Sequence, residues 1–522
     1  MRLVWPKRCD HRGQLLRNHT CGGSTIRRPS RSAWRCVAQL PETRQQPAGR
    51  LRTKSGKTRT AAVQQLVRIE EDGAYVGLVG GSPRPKKAVQ QRLEKLPVQL
   101  DSRDARFVTE LVSGVTRWKG RLDWVIRELR PRGSIDPLLL QILRLGVYEL
   151  VELGLPDHVI NDHVDMARKL VRPEAAPVTN AILRRITRMR RDGTLPAPEV
   201  APGAGLKERA AMLAIAASHP VWMVERWVQR YGEAETVKLL AANNRRPMYS
   251  VRVNRLRVSP AELQQRLEDN GVECEPSPFL PDDFLRIRRG LREVMAQGAL
   301  SEGLCQVQDE SAGMVVALLD PQAGERVLDA CAAPGGKALF AAARMQGRGH
   351  LMAMDASERR LKGLAATAEQ QGCPPGFLTV RAADLQGFAT EQARAGGELF
   401  DRVLLDAPCS GLGVLAKRAD LRWRRTPSDV AAAAALQDEL LHSAASLVRP
   451  GGLLVYSTCS IEPEENEDRV ESFLLSHNSF RPEAAPGSLV TSGVLTEAGH
   501  MATLPHRHGT DGAFGARLRR AD

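Results

Sequence analysis

Chemistry-bearing residues stand at the ends of apolar runs in this chain. In VLLDAPCSGLG (403–413) an apolar run ends in Asp406, and a proline then delivers Cys409 into a Gly/Ser turn, so a carboxylate and a thiol share one strand end. GGLLVYSTCS carries Cys459 at its end, and RVLDAC, HLMAMD and FLTVRAAD carry Asp329, Asp355 and Asp384. A thiolate is a nucleophile for covalent catalysis, and a buried carboxylic acid is a proton donor or hydrogen-bond partner. From Val307 onward these strand-like runs alternate with helical patterns, as in a parallel, doubly wound sheet. Ligands bind outside the carboxyl ends of such strands, so Asp329, Asp355, Asp384, Asp406 and Cys459 are expected to converge on one crevice.

ERVLDACAAPGGKALFAAA reads as a strand, a turn at Gly335-Gly336 and a helix. The glycines let the turn pass close to a ligand, and the helix start offers free N–H groups. The dinucleotide fingerprint GxGxxG is absent. So is the phosphate loop GxxxxGK[ST], because Ala338 follows Lys337. Both absences count against a nicotinamide cofactor or a nucleoside triphosphate. Asp355 ends the second strand 20 residues after Gly335, where ribose hydroxyls are held. A ligand with ribose but no pyrophosphate fits, and S-adenosylmethionine is one.

The elements that position these groups occupy only part of the chain. At 522 residues, two or three domains are expected. Nine scattered cysteines, odd in number and never spaced as CxxC, argue against a disulfide framework and against zinc, so no metal is expected. No apolar run approaches the roughly 18 residues of a membrane span, and no membrane partner is expected. The net charge of +15 is concentrated at the start, where residues 1–60 hold 15 Lys/Arg against Asp10 and Glu42. An Arg-rich, acid-poor beginning of this kind is the signature of an organelle transit peptide, placed at 1–65; a basic RNA-binding arm is the alternative.

A linker at 66–87 contains GGSPRPKK, and an all-α region follows at 88–200. There Asp136-Pro137 caps the apolar run PLLLQILRLGVYELVEL, and amphipathic segments lie at Phe107 to Val112 and Leu122 to Leu129. NAILRRITRMRR places Ile182, Leu183, Ile186 and Met189 on one stripe and Arg184, Arg185 and Arg188 elsewhere. Those arginines are candidates for holding RNA phosphates or for a solvated helix face. A small α/β connector at 215–300 and a catalytic domain at 301–522 complete the chain.

DACAAPGGK, LLDAPCSGLG and YSTCSIEPEENE resemble the motifs of the NOL/NOP2/Sun family of RNA cytosine-C5 methyltransferases. VQDESAG (307–313) and LPHRHGTDGAFGARLRR (504–520) extend the likeness on either side. SGVTRWKGRLDWVI and LRLGVYELVELGLPDHVINDHV are similar to the NusB-like RNA-binding domain fused in the bacterial Sun (RsmB) branch. The resemblance implies a multidomain fold: an all-α NusB-like domain, the connector, and a Rossmann-like α/β methyltransferase domain.

It implies that Cys331, Ala332, Ala333, Pro334, Gly335, Gly336 and Lys337 cradle the methionine end of S-adenosylmethionine. Asp355 would bind its ribose and Asp384 the adenine side, while Asp406 would face cofactor and target base. Ala338 stands where the family usually has Thr. The family's chemistry adds a thiolate to C6 of cytosine to make C5 nucleophilic, with the base out of its stack. By the resemblance Cys459 attacks, and Cys409 supports elimination of the adduct. The partner implied is bacterial-type small-subunit ribosomal RNA, met by a monomer in the plastid stroma or, alternatively, a mitochondrion. Competing readings are a non-catalytic ribosome-assembly factor, methylation of another RNA such as tRNA, and a DNA-type or protein methyltransferase. The Thr458-Cys459 pair counts against the DNA type, which lacks it.

Overall fold

A computed structural model describes residues 56–71, 100–130, 133–487 and 489–522. The GGSPRPKK stretch and residues 1–55 lie outside them. The helical domain is built on Ser102–Leu129, one helix of 28 residues uniting the two amphipathic segments expected there. Asp101 caps its start, and Asp136 caps Pro137–Val147 by accepting from the Leu138 and Leu139 amides. The arginine-bearing helix spans Ala175–Arg191 and buries Ile182, Leu183 and Ile186.

The helix Gly56–Glu71 belongs to this bundle, and it corrects the expected boundaries. Ala62, Val63, Leu66 and Val67 are buried in the same core as Leu111, Ile142 and Leu183. Arg59, 1% exposed, donates to the buried Glu149 at 2.9 Å, and Glu149 also meets His163 at 2.6 Å. A transit segment reaching residue 65 and a linker starting at 66 would both cut through this buried helix. The helical domain therefore begins by residue 56 rather than 88.

The expected connector divides into two parts. Leu206–Ala216, Val221–Tyr231 and Glu233–Asn244 are helices whose core residues Leu213, Trp227 and Leu240 pack with Leu412, Leu415, Leu421 and Ile461 of the catalytic domain. Behind them comes a four-stranded antiparallel sheet of β1 (Tyr249–Val253), β2 (Glu273–Pro276), β3 (Phe284–Arg289) and β4 (Cys305–Val307), ordered β2-β3-β1-β4. The helix Pro260–Asp269 covers it through Leu263 and Leu267, starting at a Ser259/Glu262 capping box. Because β4 pairs with β1, this unit ends at about 307, beyond the expected 300.

The catalytic sheet contains β5 (Arg326–Asp329), β6 (His350–Asp355), β7 (Leu378–Ala382), β8 (Phe400–Asp406), β9 (Val448–Thr458), β10 (Phe480–Pro482), β11 (Met501–Thr503) and β12 (Ala513–Arg520). Its order is β10-β12-β9-β8-β5-β6-β7, with β11 on β12. Strands β5 to β9 pair in parallel, but β12 runs antiparallel to β9, so the sheet is mixed rather than purely parallel. Helices cover both faces. Glu310–Leu319 and Gly336–Arg344 contribute Val316, Leu319 and Phe340 on one side, and Leu385–Ala395 with Pro427–Ser446 contribute Phe388 and Leu441 on the other. Each such fully buried side chain is worth about 1.5–3 kcal/mol relative to exposure. Among the described residues no helix is long and apolar enough to cross a membrane.

Candidate active site

The turn after β5 is held from three sides. The Ala332 amide donates to the Met354 carbonyl at 2.8 Å, the Ala333 amide to Asp355 Oδ2 at 3.2 Å, and Arg360 to the Ala333 carbonyl at 2.8 Å. The Ala333-Pro334 peptide is cis, and Gly335 has φ +110°. A Cβ at Gly335 would lie 2.2 Å from Leu364 Cδ1, so only glycine fits there. Ala338, fully buried, packs in the core under the sheet. From the connector, Arg252 reaches the Gly336 carbonyl at 2.5 Å and is otherwise held by the side-chain amides of Gln306, Gln308 and Gln371.

The strand-end acids differ in environment. Asp355 is buried and also accepts from the Ser357 amide at 2.9 Å. Asp384 is exposed and caps the helix Leu385–Ala395 through the Gly387 amide at 2.9 Å. Lys337 donates to Asp406 Oδ2 at 2.6 Å, while Ser457 donates to Oδ1 at 2.8 Å. Asp329 is 2% exposed, and among the described residues neither of its oxygens has a well-formed hydrogen-bond partner. Burial and then the Asp406 charge push its carboxyl up to about 7.

Pairing of Asp406 with Ser457 aligns the ends of β8 and β9, and the chain beyond each delivers a thiol. The Cys409 and Cys459 sulfurs lie 3.1 Å apart, both partly exposed. The loop between Gly411 and Gly413 is clamped by backbone bonds, Gly413 N to Cys459 O at 3.0 Å and Gly512 N to Gly413 O at 2.8 Å. A Cβ on Gly413 would sit 2.0 Å from the Gly512 carbonyl oxygen, a contact that backbone on both sides forbids. Further on, Lys417 bonds Asp309 and, at 2.9 Å, Asp511. There VQDESAG meets the segment before β12. Burial opposes the Asp309 charge, yet Lys417 outweighs it and takes the carboxyl to about 2. Asp511 is pushed up to about 7 by burial and by Asp309.

Contacts and charges thus join the 331–337 turn, Asp329, Asp355, Asp406, Cys409 and Cys459 at one end of the sheet, whereas Asp384 bonds only its own helix and Arg184, Arg185 and Arg188 are exposed on the helical domain. Other residues that build the site were not singled out from sequence. Glu465, fully buried, accepts from Ser410 and Ser460, the neighbours of the two cysteines. Glu462 accepts from Trp227 Nε1 at 2.8 Å and Arg226 Nε at 3.0 Å, tying the Cys459 loop to the connector helices. In sequence both lie in the acidic run IEPEENE, where nothing distinguishes a buried glutamate from a solvated one.

Family models match all three parts of the chain: NusB family over 56–188, "Methyltr_RsmF/B-like, ferredoxin-like domain" over 219–290 and "16S rRNA methyltransferase RsmB/F" over 316–519. The chain is 37% identical over 445 residues to the Synechocystis sp. protein named "Probable ribosomal RNA small subunit methyltransferase B", covering 83% of this chain and 95% of that one. It is 34% identical over 430 residues to the ribosomal RNA small subunit methyltransferase B of Serratia proteamaculans, covering 82% and 93%. The crystal structure of PH0851 superposes with a TM-score of 0.69 at 28% identity, covering 90% of this chain and 99% of that one. Identity at this level over this much of both chains settles kinship: the chain belongs to the ribosomal RNA small subunit methyltransferase B family.

Proposed function

We propose that the protein methylates C5 of a cytosine in bacterial-type small-subunit ribosomal RNA, using S-adenosylmethionine and a covalent bond from Cys459 to C6. The observation that carries this reading is the thiol pair at 3.1 Å, set at adjacent strand ends beside Lys337 and Asp406. A binding protein needs neither thiol, and one thiol would serve simple addition. The turn at 331–337 suits a cofactor loop: Gly335, at φ +110°, lets it pack tightly against Leu364, and Asp329 offers a buried carboxyl whose oxygens no described residue bonds well. Asp329 would hold the cationic methionine end, Asp355 the ribose and Asp384 the adenine edge. Bound there, S-adenosylmethionine would supply an electrophilic methyl group.

The chain's own residues prepare the base. Attack by the Cys459 thiolate at C6 moves the C5–C6 electron pair onto C5, and a proton that Lys337 passes to N3 through Asp406 relieves the charge that develops. Once C5 carries the methyl group, a base takes the C5 proton, the C5–H electron pair re-forms the C5–C6 double bond, and Cys459 leaves C6 as a thiolate, with Cys409 at contact distance to assist. Bisulfite sequencing of organellar and cytosolic ribosomal RNA after loss of the protein tests the reading. It is abandoned if no small-subunit cytosine loses its mark.

Asp329 predicts a pH dependence. Its folded pKa of about 7 lies above the ordinary carboxyl value, so its contribution to stability is complete below about pH 4 and is lost as pH rises through 7. A cationic ligand favours the carboxylate, so binding below pH 7 expels a proton. Cofactor affinity should climb with pH by up to about tenfold per unit toward 7, then level off. Calorimetry should show this slope in the unaltered protein and none in Asp329→Asn.

RNA docking predicts a second effect. Of the five arginines near the end of Ala175–Arg191, Arg190 is held by the Leu150 carbonyl at 2.6 Å and Arg191 pairs with Asp157 at 3.6 Å, while Arg184, Arg185 and Arg188 face outward. Replacing these three with Ala should flatten the salt dependence of RNA binding by roughly one unit of slope per lost phosphate contact. Cofactor affinity should stay the same. An unchanged slope returns the helix to a solvated surface.

We further propose plastid targeting, with a mitochondrion as the alternative, on the basic, acid-poor composition of the first residues. Since the helix Gly56–Glu71 is packed in the helical core, this reading puts the cleavage before it rather than at residue 65. A fluorescent fusion of residues 1–80 that stays in the cytosol rules this out.

A further inference from the structure

Between the two cysteine loops lies a carboxylate to which no cation is bound among the described residues. Glu465 closes the short turn Pro463–Glu465 and is fully buried. It accepts from the Ser410 amide at 2.6 Å, from the Ser410 and Ser460 hydroxyls, and from Gln437 Nε2 at 3.3 Å. Its backbone carbonyl accepts from Tyr456 at 2.6 Å, and Gln437 also donates to the Pro408 carbonyl at 2.9 Å. Burying a charge is costly unless it is paired or well hydrogen-bonded, and neutral acceptors could satisfy two hydroxyls at lower cost. Ser410 follows Cys409 and Ser460 follows Cys459, so a single carboxylate joins the residues next to both thiols.

The charges around the thiols are unequal. Lys337, Asp406 and Asp329 gather by Cys459. Burial opposes the Lys337 charge, but Asp406, with a smaller contribution from Cys459, raises its pKa above the ordinary lysine value. Glu465 and Tyr456 stand by Cys409, and Arg425 donates to the Ser410 carbonyl at 2.8 Å.

We propose that Glu465 is a positioning residue that, by tying Ser410 to Ser460, locks the two cysteine loops at sulfur contact distance, so that Cys409 serves as the thiol partner and Cys459 is the one that attacks. This rests on the methylation reading above, and it assigns the division of labour between the thiols to the contact that a buried glutamate fixes rather than to their order in the chain. A fixed negative charge beside Cys409 disfavours a second one there. The hydrogen bond to Cys459 comes first among the causes that hold the Cys409 thiol well above the ordinary range, followed by burial and the charges of Cys459 and Glu465.

The test is the pH dependence of iodoacetamide alkylation at each cysteine, read by mass spectrometry on the full chain. In the unaltered protein Cys459 should react at lower pH than Cys409; the reverse order overturns the proposal even if every variant fails to fold. In Glu465→Gln, which keeps the shape and weakens both the charge and the lock on the Cys459 contact, the Cys409 midpoint should fall. Methylation kcat should drop while cofactor affinity by calorimetry is kept. An unmoved Cys409 midpoint in a variant that still binds S-adenosylmethionine also overturns it. Ser460→Ala, which cuts one link but leaves the charge, should lower kcat and move that midpoint less. Alkylation is read on the protein alone, so absence of 5-methylcytosine would defeat the methylation reading without touching this result.

Discussion

Cys459→Ala should abolish methylation and leave no protein–RNA adduct, whereas Cys409→Ala should accumulate a denaturation-resistant complex that requires S-adenosylmethionine. The loss at Cys459 should reach about four orders of magnitude or more, as for other removed nucleophiles. The argument starts from geometry. Both sulfurs meet at 3.1 Å over one crevice, yet only one can bond C6. A thiolate good enough to add also makes a durable thioether, so turnover needs a group that assists its departure. Denaturing electrophoresis of each variant with labelled ribosomal RNA separates the outcomes. An adduct trapped by Cys459→Ala and absent from Cys409→Ala would reverse the roles and place the chemistry with the DNA-type enzymes. If Cys409 were only a small packed residue, its alanine variant would turn over without trapping anything.

The convergence of these groups was legible in the sequence because polar residues end apolar runs in a regular strand–helix alternation, and topology does the rest. Asp329, Asp355, Asp406 and Cys459 needed no contact information to be placed near one another. What escaped reading depends on partners far away in the chain. GKTRTAAVQQLVRIEE follows a basic, acid-poor stretch and was absorbed into it, but Arg59 is buried because Glu149, 90 residues on, accepts from it. The antiparallel β12 could be inferred only through family resemblance, since local pattern does not fix strand direction. Glu465 sits among glutamates that composition treats alike, and it differs only in the serines that fold over it.

Arg422 extends the same lesson to an arginine that composition reads as surface. RADLRWRR looks like a basic patch, yet Arg422 is fully buried where the helical domain, the connector and the Cys409 loop meet. It donates to the carbonyls of Arg117 at 3.3 Å, Ser218 at 3.0 Å and Asn243 at 3.1 Å, and to Asn244 Oδ1 at 2.8 Å. Next to it Trp423 donates to the Thr116 carbonyl at 2.7 Å, and Arg117 reaches back to the Ala416 carbonyl at 3.1 Å. Burial, with a smaller contribution from Arg117, pulls the Arg422 pKa well below the arginine range, and among the described residues carbonyl and amide oxygens rather than a carboxylate meet its charge. Arg422→Ala should therefore cost about 3–5 kcal/mol, because it opens a cavity and strips several buried acceptors of their donor at once. Arg422→Met fills the space and removes the uncompensated charge, so it should recover part of that loss. Urea unfolding of both variants measures the difference. A loss below about 1 kcal/mol in the alanine variant would mean that the junction is held elsewhere. Cofactor affinity should stay near the unaltered value in both, since no group of the 331–337 turn touches Arg422. Methylation should fall with the alanine variant, because the loop that Arg422 anchors begins at Cys409.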